Sequence, residues 1–167
     1  MMQYLILTIL LILSPAALSG EIQPASDLSS DGHSAIASNQ TVVVLFSSNS
    51  CPYCDAVKSE FFQHLENDKR YLGNIILREV LIDSHKTVTN FSGESTTQSS
   101  LADQQGIYVV PTVGFFDGSG QELAKRIVGV GNLDFYGWYL DIRIKKALRI
   151  IRSNALAITR LSGATAS

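Results

Sequence analysis

Continuous runs of apolar residues along the chain mark the strands of a central β-sheet. The run over 41–46 consists of β-branched and aromatic residues, which is typical of a strand buried on both faces. Residues 74–83 form a second buried run. Residues 112–116 and 122–128 are two further strand-like stretches, joined by the turn sequence Asp-Gly-Ser-Gly at 117–120. The pattern therefore predicts two buried strands followed by a hairpin.

Between these strands, apolar residues recur at the helical spacing of three and four positions. Residues 52–69 and 133–151 have this spacing, and a short helix is predicted at 99–105. The polar stretch at 85–97 is predicted to be a loop. The order β-α-β-α-β-β-α predicts an α/β fold. A parallel β-α-β unit and an antiparallel hairpin form one mixed sheet, with helices on both faces.

The first 19 residues have the pattern of a secretory signal peptide. They contain no Asp, Glu, Lys or Arg, and the apolar run is followed by small residues, with a cleavage pattern at Ala17 and Ser19. An uncleaved anchor is the alternative, but the apolar stretch over 4–18 is shorter than the roughly 20 residues that a spanning helix needs. We expect cleavage after Ser19 and export to a compartment where disulfides persist.

The rest of the chain is predicted to form a single domain. Residues 20–34 are rich in Ser, Asp, Gly and Ala, which indicates a linker that leads into a short helix. We place the domain at 35–152 and a C-terminal tail at 153–167. The composition of the 167 residues, 46% hydrophobic and 17% charged, suits one globular domain and excludes a disordered chain.

Charge is unevenly distributed along a nearly neutral chain. The formal net charge of -2 lacks the basic field of a nucleic-acid binder, so no nucleic-acid partner is predicted. Six of the 13 basic side chains lie in the last 27 residues, beside a single acid, Asp141. This segment has two interpretations: a solvated helix face with a frayed tail, or a weak contact with an anionic partner or a membrane surface.

The candidate chemistry lies in the sequence Cys51-Pro52-Tyr53-Cys54, at the junction of a buried strand and a helix. This spacing on a first helical turn brings two sulfurs within disulfide reach. Unpaired N–H groups and the helix dipole favour a thiolate there, so Cys51 is the predicted nucleophile. Cys54 lies one turn deeper and is predicted to resolve the mixed disulfide. Pro52 suits the first helical position, and Tyr53 is expected to point outward between the sulfurs.

A metal site is the alternative interpretation of the two cysteines. Zinc normally needs four ligands, but the chain has no second cysteine pair and its three histidines, His33, His64 and His85, are scattered. A non-catalytic module that holds Cu(I) through two thiolates remains an alternative. The aromatic pairs at 61–62 and 115–116 are interpreted as core. No metal and no cofactor are predicted.

A second motif, Val110-Pro111 before a strand, completes a family resemblance. A strand-to-helix C-x-x-C with such a proline resembles the thioredoxin-like superfamily, over about residues 35–152. The resemblance implies a cis Val110–Pro111 bond close to the active disulfide. It also implies that an extended substrate lies along Val110 and Pro111, beside Pro52 and Tyr53.

The chain departs from thioredoxins proper at two positions. Leu45 and Ser50 stand where those proteins have a buried Asp and a Trp, so the usual proton acceptor is missing. The chain looks more similar to small exported thioredoxin-related proteins, which implies a bacterial periplasm. The predicted function is thiol:disulfide exchange with protein thiols and an unidentified redox partner. A peptide-binding adaptor that uses the groove beside Pro111 is the third hypothesis.

Overall fold

The computed structural model describes residues 22–65 and 68–164. The predicted signal peptide therefore lies outside the described residues. Six strands are present in this part of the chain: β1 (Thr41–Ser47), β2 (Ile75–Leu81), β3 (Thr87–Thr89), β4 (Ser95–Thr97), β5 (Thr112–Phe116) and β6 (Glu122–Val128). The helices are α1 (Leu28–Ser38), α2 (Pro52–Val57), α3 (Gln63–Leu65), α4 (Gln98–Gln104) and α5 (Leu133–Ala164), with a π-helical turn over Lys58–Phe62 between α2 and α3.

Four strands form the central sheet in the order β2-β1-β5-β6. Strand β1 is parallel to β2 and antiparallel to β5, and β6 returns antiparallel to β5. All seven residues of β1 are buried, as expected for the central strand of a sheet covered on both faces. The predicted mixed sheet is confirmed.

Alternate side chains of β1 point into two separate cores. Val43 and Leu45 face a core that the helices α2 and α5 cover, with Phe62 and Tyr136 among its largest members. Val42, Val44 and Phe46 face a core that α1 and α4 cover. A period of two in a strand places neighbours on opposite faces, which explains why the apolar run of β1 is unbroken. The prediction of helices on both faces is confirmed.

The prediction of a linker at 20–34 is wrong over the part that the structure describes. The segment before α1 lies against the outer edge of β2, where the N–H of Glu79 donates to the C=O of Gln23 and the N–H of Ala25 donates to the C=O of Glu79. Helix α1 then begins at Leu28, and the side chain of Asp27 caps it by accepting from the N–H of Ser30 at 2.9 Å. The polar composition of this helix reflects its narrow buried face.

Small residues on α1 allow a close approach to the turn between β5 and β6. A Cβ placed on Gly32 would lie 2.2 Å from the carbonyl oxygen of Gly118, and one placed on Gly118 would lie 2.3 Å from the oxygen of Gly32. Both contacted atoms are backbone, which cannot rotate aside. The two glycines therefore set how closely α1 docks on the sheet.

Two further predictions need correction inside the domain. The stretch predicted as a loop at 85–97 contains the antiparallel pair β3–β4. The predicted helix 52–69 changes at Lys58 to a π-helical turn, is α-helical again from Gln63 to Leu65, and gives way to a turn by Lys69. The N–H of Gln63 donates to the C=O of Lys58, five residues earlier, which is the pattern of a π-helix.

Helix α5 is longer than predicted. It runs for 32 residues to Ala164, so the prediction of a tail from residue 153 is wrong. No proline follows Leu133, so the strongest kind of helix breaker is absent from the sequence of α5. Within the described part of the chain, no helix combines the length and the apolar character needed to cross a membrane.

An ion-pair cluster around Asp141 fastens α5 to the segment between α3 and β2. Asp141 lies 2.9 Å from Arg70 and 2.7 Å from Lys145, and it accepts a short hydrogen bond from the hydroxyl of Tyr71. Burial alone would raise the pKa of Asp141, but the bonds from Lys145 and Tyr71 hold it below its ordinary value. Burial and the bond to Asp141 raise the pKa of Tyr71.

The cluster predicts a pH-dependent contribution to stability. A carboxyl group whose pKa is lower in the folded chain stabilises it above the unfolded pKa and loses that effect as the pH falls through the folded pKa. Asp141→Asn should lower the free energy of unfolding at pH 7 by about 1–2 kcal/mol, because bonds to a charged acceptor are lost. The deficit should be complete above about pH 4 and shrink at lower pH. Urea unfolding at several pH values measures it. The exposed Asp103→Asn is the matched control, and an equal deficit in both variants would contradict the assignment.

Candidate active site

The two cysteines lie where β1 passes through a short turn into α2. Cys51 is the N-cap of α2 and Pro52 occupies the first turn. The N–H of Cys54 donates to Sγ of Cys51 at 3.1 Å, and the N–H of Asp55 donates to the C=O of Cys51 at 3.1 Å. The two sulfurs form a disulfide, with the Cα atoms 5.2 Å apart. In the reduced chain, the same N–H group and the helix dipole favour a thiolate at Cys51.

The turn before Cys51 is held by the residue pair Asn49 and Asp83. The backbone N–H of Asn49 donates to a carboxylate oxygen of Asp83 at 3.0 Å, and the side-chain amide donates to the other at 3.1 Å. Asp83 follows β2, the neighbour of β1 in the sheet. These bonds fix the path of the chain between β1 and the disulfide.

Exposure distinguishes the two sulfur-bearing residues. Cys51 is 8% exposed and Cys54 is fully buried, whereas Tyr53 between them is 66% exposed. Only Cys51 can therefore meet an incoming sulfur atom without movement of the helix. The roles of Cys51 as nucleophile and of Cys54 as resolving cysteine stay predictions, and Tyr53 points its ring to solvent between them.

The loop that leads into β5 reaches the same end of the sheet. Phe46 near the end of β1 pairs with Thr112, the first residue of β5. Pro111 directly precedes this pair, and its peptide bond with Val110 is cis. The hydroxyl of Thr112 donates to the C=O of Val109 at 2.7 Å, which holds the loop in place. The structure therefore brings the two predicted motifs to one end of the sheet.

Val110 has free backbone hydrogen-bonding groups. Neither its N–H nor its C=O has a partner within residues 22–65 and 68–164. Four large side chains close to Cys51 or Pro111 in the sequence or in the strand pairing have at least half of their surface exposed: Tyr53, Tyr108, Val109 and Val128. Unpaired backbone groups beside apolar side chains fit an extended peptide, which can add as a strand.

A family model described as a thioredoxin-like domain matches residues 28–140. The chain belongs to the thioredoxin-like family. The match begins at the first residue of α1, seven residues before the start that we predicted, and it ends within α5. A comparison with curated proteins found no match.

Several solved structures are similar to this chain at low sequence identity. The structure of the DsbH oxidoreductase is 16% identical with a TM-score of 0.50, and the match covers 82% of this chain and 92% of that chain. Mitochondrial thioredoxin 3 from Saccharomyces cerevisiae is 17% identical with a TM-score of 0.48, covering 74% of this chain and 93% of that chain. Thioredoxin O2 from Arabidopsis thaliana is 21% identical with a TM-score of 0.47, covering 75% and 96%.

The sheet below the cysteine helix of this thioredoxin-like chain carries a carboxylate that the sequence analysis missed. Leu45 is fully buried, and it pairs with Glu79 of β2, so both side chains face the core under α2. Glu79 accepts a hydrogen bond from the hydroxyl of Ser47 at 2.5 Å and lies 3.3 Å from Nζ of Lys58. In the sequence, this carboxylate is indicated only by the fact that Glu79 is the single acid in the β2 stretch Ile75–Leu81.

Lys58 links this carboxylate to the cysteine helix. It follows Cys54 by one helical turn, and its Nζ also lies 3.2 Å from Asp55. Burial, the largest single influence, lowers the pKa of Lys58, but hydrogen bonds and charges from Asp55 and Glu79 outweigh it and raise the pKa above its ordinary value. The ammonium group therefore stays charged between two carboxylates, on the sheet side of the cysteines.

The histidines lie far apart in the chain, and each is exposed. Within the described ranges, no three His, Cys, Asp or Glu side chains are grouped so that they could hold a metal ion. His85 has only a long contact of 3.4 Å with the hydroxyl of Ser99.

Proposed function

We propose that the chain is an exported thiol:disulfide oxidoreductase that acts on protein substrates through Cys51 and Cys54. The observation that carries this proposal is the disulfide at the start of α2, with Sγ of Cys51 facing the N–H of Cys54 and Cys51 the less buried of the two cysteines. Its placement beside the free backbone of Val110 gives the substrate an extended binding position.

In the reducing direction, the thiolate of Cys51 attacks one sulfur of a substrate disulfide. A mixed disulfide forms and one substrate thiolate leaves. The thiolate of Cys54 then attacks Sγ of Cys51, which restores the Cys51–Cys54 disulfide and releases the second substrate thiolate. Two electrons pass from the protein to the substrate, and the reverse sequence oxidises a dithiol. The redox partner must regenerate whichever form the reaction consumes.

The substrate is held along the β5 loop in this proposal. An extended segment pairs with the N–H and C=O of Val110, while Pro111 shapes the loop and Pro52 and Tyr53 form the opposite side. Side chains of apolar character on the substrate meet Tyr53 and Tyr108. This arrangement favours unfolded or loosely folded protein segments, because most backbone N–H and C=O groups of a folded protein are already paired within its own secondary structure.

Catalysed exchange with a protein substrate tests the activity. The purified protein should accelerate reduction of a disulfide-bonded model protein by a small dithiol, and equilibration with defined ratios of glutathione and its disulfide should give one two-electron potential. This reduction potential shows whether the Cys51–Cys54 pair acts as a reductant or as an oxidant of protein substrates. A rate equal to that of the dithiol alone would contradict an enzymatic function. A fixed content of Cu(I) after reductive purification would then favour the metal-binding alternative.

Export is proposed from the apolar N-terminal segment and the cleavage pattern at Ala17 and Ser19. Expression of the full chain in a Gram-negative bacterium should yield a periplasmic protein whose intact mass corresponds to a start at Gly20. Recovery in the membrane fraction with Met1 retained would contradict cleavage and would support an anchor.

A further inference from the structure

We infer that the outward face of α5 docks on anionic lipid surfaces. Residues spaced alternately by four and three positions lie on one face of a helix. On α5 this face carries Trp138, Ile142, Lys145, Arg149, Arg152 and Leu156. Cations in its centre are flanked by apolar side chains at both ends.

The apolar members of this face have no core to cover them. Trp138 is 58% exposed and Leu156 is 60% exposed, and Ile142 is also exposed. At about 1.5 Å per residue, Trp138 and Leu156 are about 27 Å apart along the helix. Such a separation fits an extended surface better than a compact pocket. Tryptophan and leucine on one side of a helix, with cations between them, are typical of segments that lie in the membrane interface.

A groove of about 450 Å³ runs beside the centre of this face. Its floor is apolar, formed by the buried residues Tyr71 and Leu148, while Arg149 and Arg152 stand on its rim. Within the described chain Arg149 has no ion-pair partner, and Arg152 donates only to the neutral side chain of Asn74 at 3.1 Å. The other two cations that line the groove, Arg70 and Lys145, are paired with Asp141. The two unpaired guanidinium groups on the rim, next to apolar surface in the floor, fit a phosphate headgroup and the start of its acyl chain.

The uneven distribution of charge along the chain determines which side of the molecule faces an anionic bilayer. The side chains of residues 141–167 carry a net charge of +5, from six cations and one acid, whereas residues 20–140 carry -7, from seven cations and fourteen acids. An anionic bilayer therefore attracts α5 and repels the rest of the domain. A second copy of the chain is a poor occupant, because two such faces would bring like charges together.

The single tryptophan of the chain, Trp138, makes this docking directly observable. The full chain should bind vesicles of equal parts phosphatidylcholine and phosphatidylglycerol, with a shift of the Trp138 emission to shorter wavelength. It should bind vesicles of phosphatidylcholine alone much more weakly. The apolar residues 4–18 are common to every sample, so the difference between the two vesicles isolates the charged face. High salt should abolish the difference, because it screens exposed charges.

Charge reversal at one position identifies the surface. Arg149→Glu should weaken binding to the anionic vesicles about 30-fold, or about five-fold for each unit of charge. Lys86→Glu, an exposed reversal of equal size beside the β3–β4 hairpin, should change it less than about two-fold. Thermal unfolding of both variants checks that each is folded. Equal binding to both vesicles, equal losses in both variants, or binding without a shift of Trp138 emission would each overturn the inference. Cys51→Ser should bind like the unmodified chain, so docking and redox function are tested independently.

Discussion

Cys51→Ser should reduce the catalysed rate of exchange by roughly 10³-fold or more, to the rate of the dithiol alone, because it removes the attacking sulfur. Cys54→Ser should have a different effect. It leaves Cys51 able to attack but removes the sulfur that releases the substrate, so mixed disulfides through Cys51 should accumulate. Non-reducing gels followed by mass spectrometry would identify them.

Alkylation against pH provides the control for this prediction. The reduced chain should contain one rapidly alkylated thiol with a lowered pKa, because Cys51 receives the N–H of Cys54 and is the more exposed of the two. Cys54→Ser should retain this thiol and Cys51→Ser should lose it. If the fast thiol persists in Cys51→Ser, the roles of the two cysteines are reversed.

Gly32→Ala should destabilise the fold by about 1–3 kcal/mol, which is the usual cost of overpacking. We expect a value near the upper end of this range, because the opposing oxygen of Gly118 belongs to the backbone and cannot rotate aside. The sign of the change in the free energy of unfolding is informative. In a helix free of contacts, alanine is favoured over glycine by about 1 kcal/mol, so the same change would stabilise the chain. Denaturant unfolding monitored by circular dichroism measures the difference.

Two further variants locate the origin of this effect. Gly118→Ala should also destabilise the chain, and the double variant should cost less than the sum, because both changes act on one contact. Gly131→Ala meets open space and should be nearly neutral. A stabilised Gly32→Ala, or strict additivity with Gly118→Ala, would contradict the close docking of α1.

The sheet and the placement of the cysteines were predictable because they depend on local patterns. The unbroken apolar run of β1 and the turn at 117–120 indicate buried strands and a hairpin without knowledge of the rest of the chain. The position of Cys51 at a strand-to-helix junction follows from the same patterns. The convergence of Cys51 and Pro111 on one end of the sheet, by contrast, needed the family resemblance.

The features that were missed depend on tertiary contacts. Helix α1 looks like a linker because its buried face is small, and Gly32 is favourable only opposite Gly118. Glu79 interrupts an apolar strand, and its role appears only when Ser47 and Lys58 are seen beside it. The extension of α5 beyond residue 152 adds few buried residues, so its apolar pattern is too weak to mark a helix.

The segment before α1 also affects the risk of aggregation. An open sheet normally leaves two edge strands whose free N–H and C=O groups can pair with another chain. At β2, the backbone of residues 23–25 already pairs with the N–H and C=O of Glu79, so this edge is covered around that residue. At β6, the register shifts against β5, and the exposed Lys125 is followed by a second cation, Arg126. One edge is thus partly covered and the other is irregular and charged, which disfavours strand-by-strand growth between molecules at high concentration.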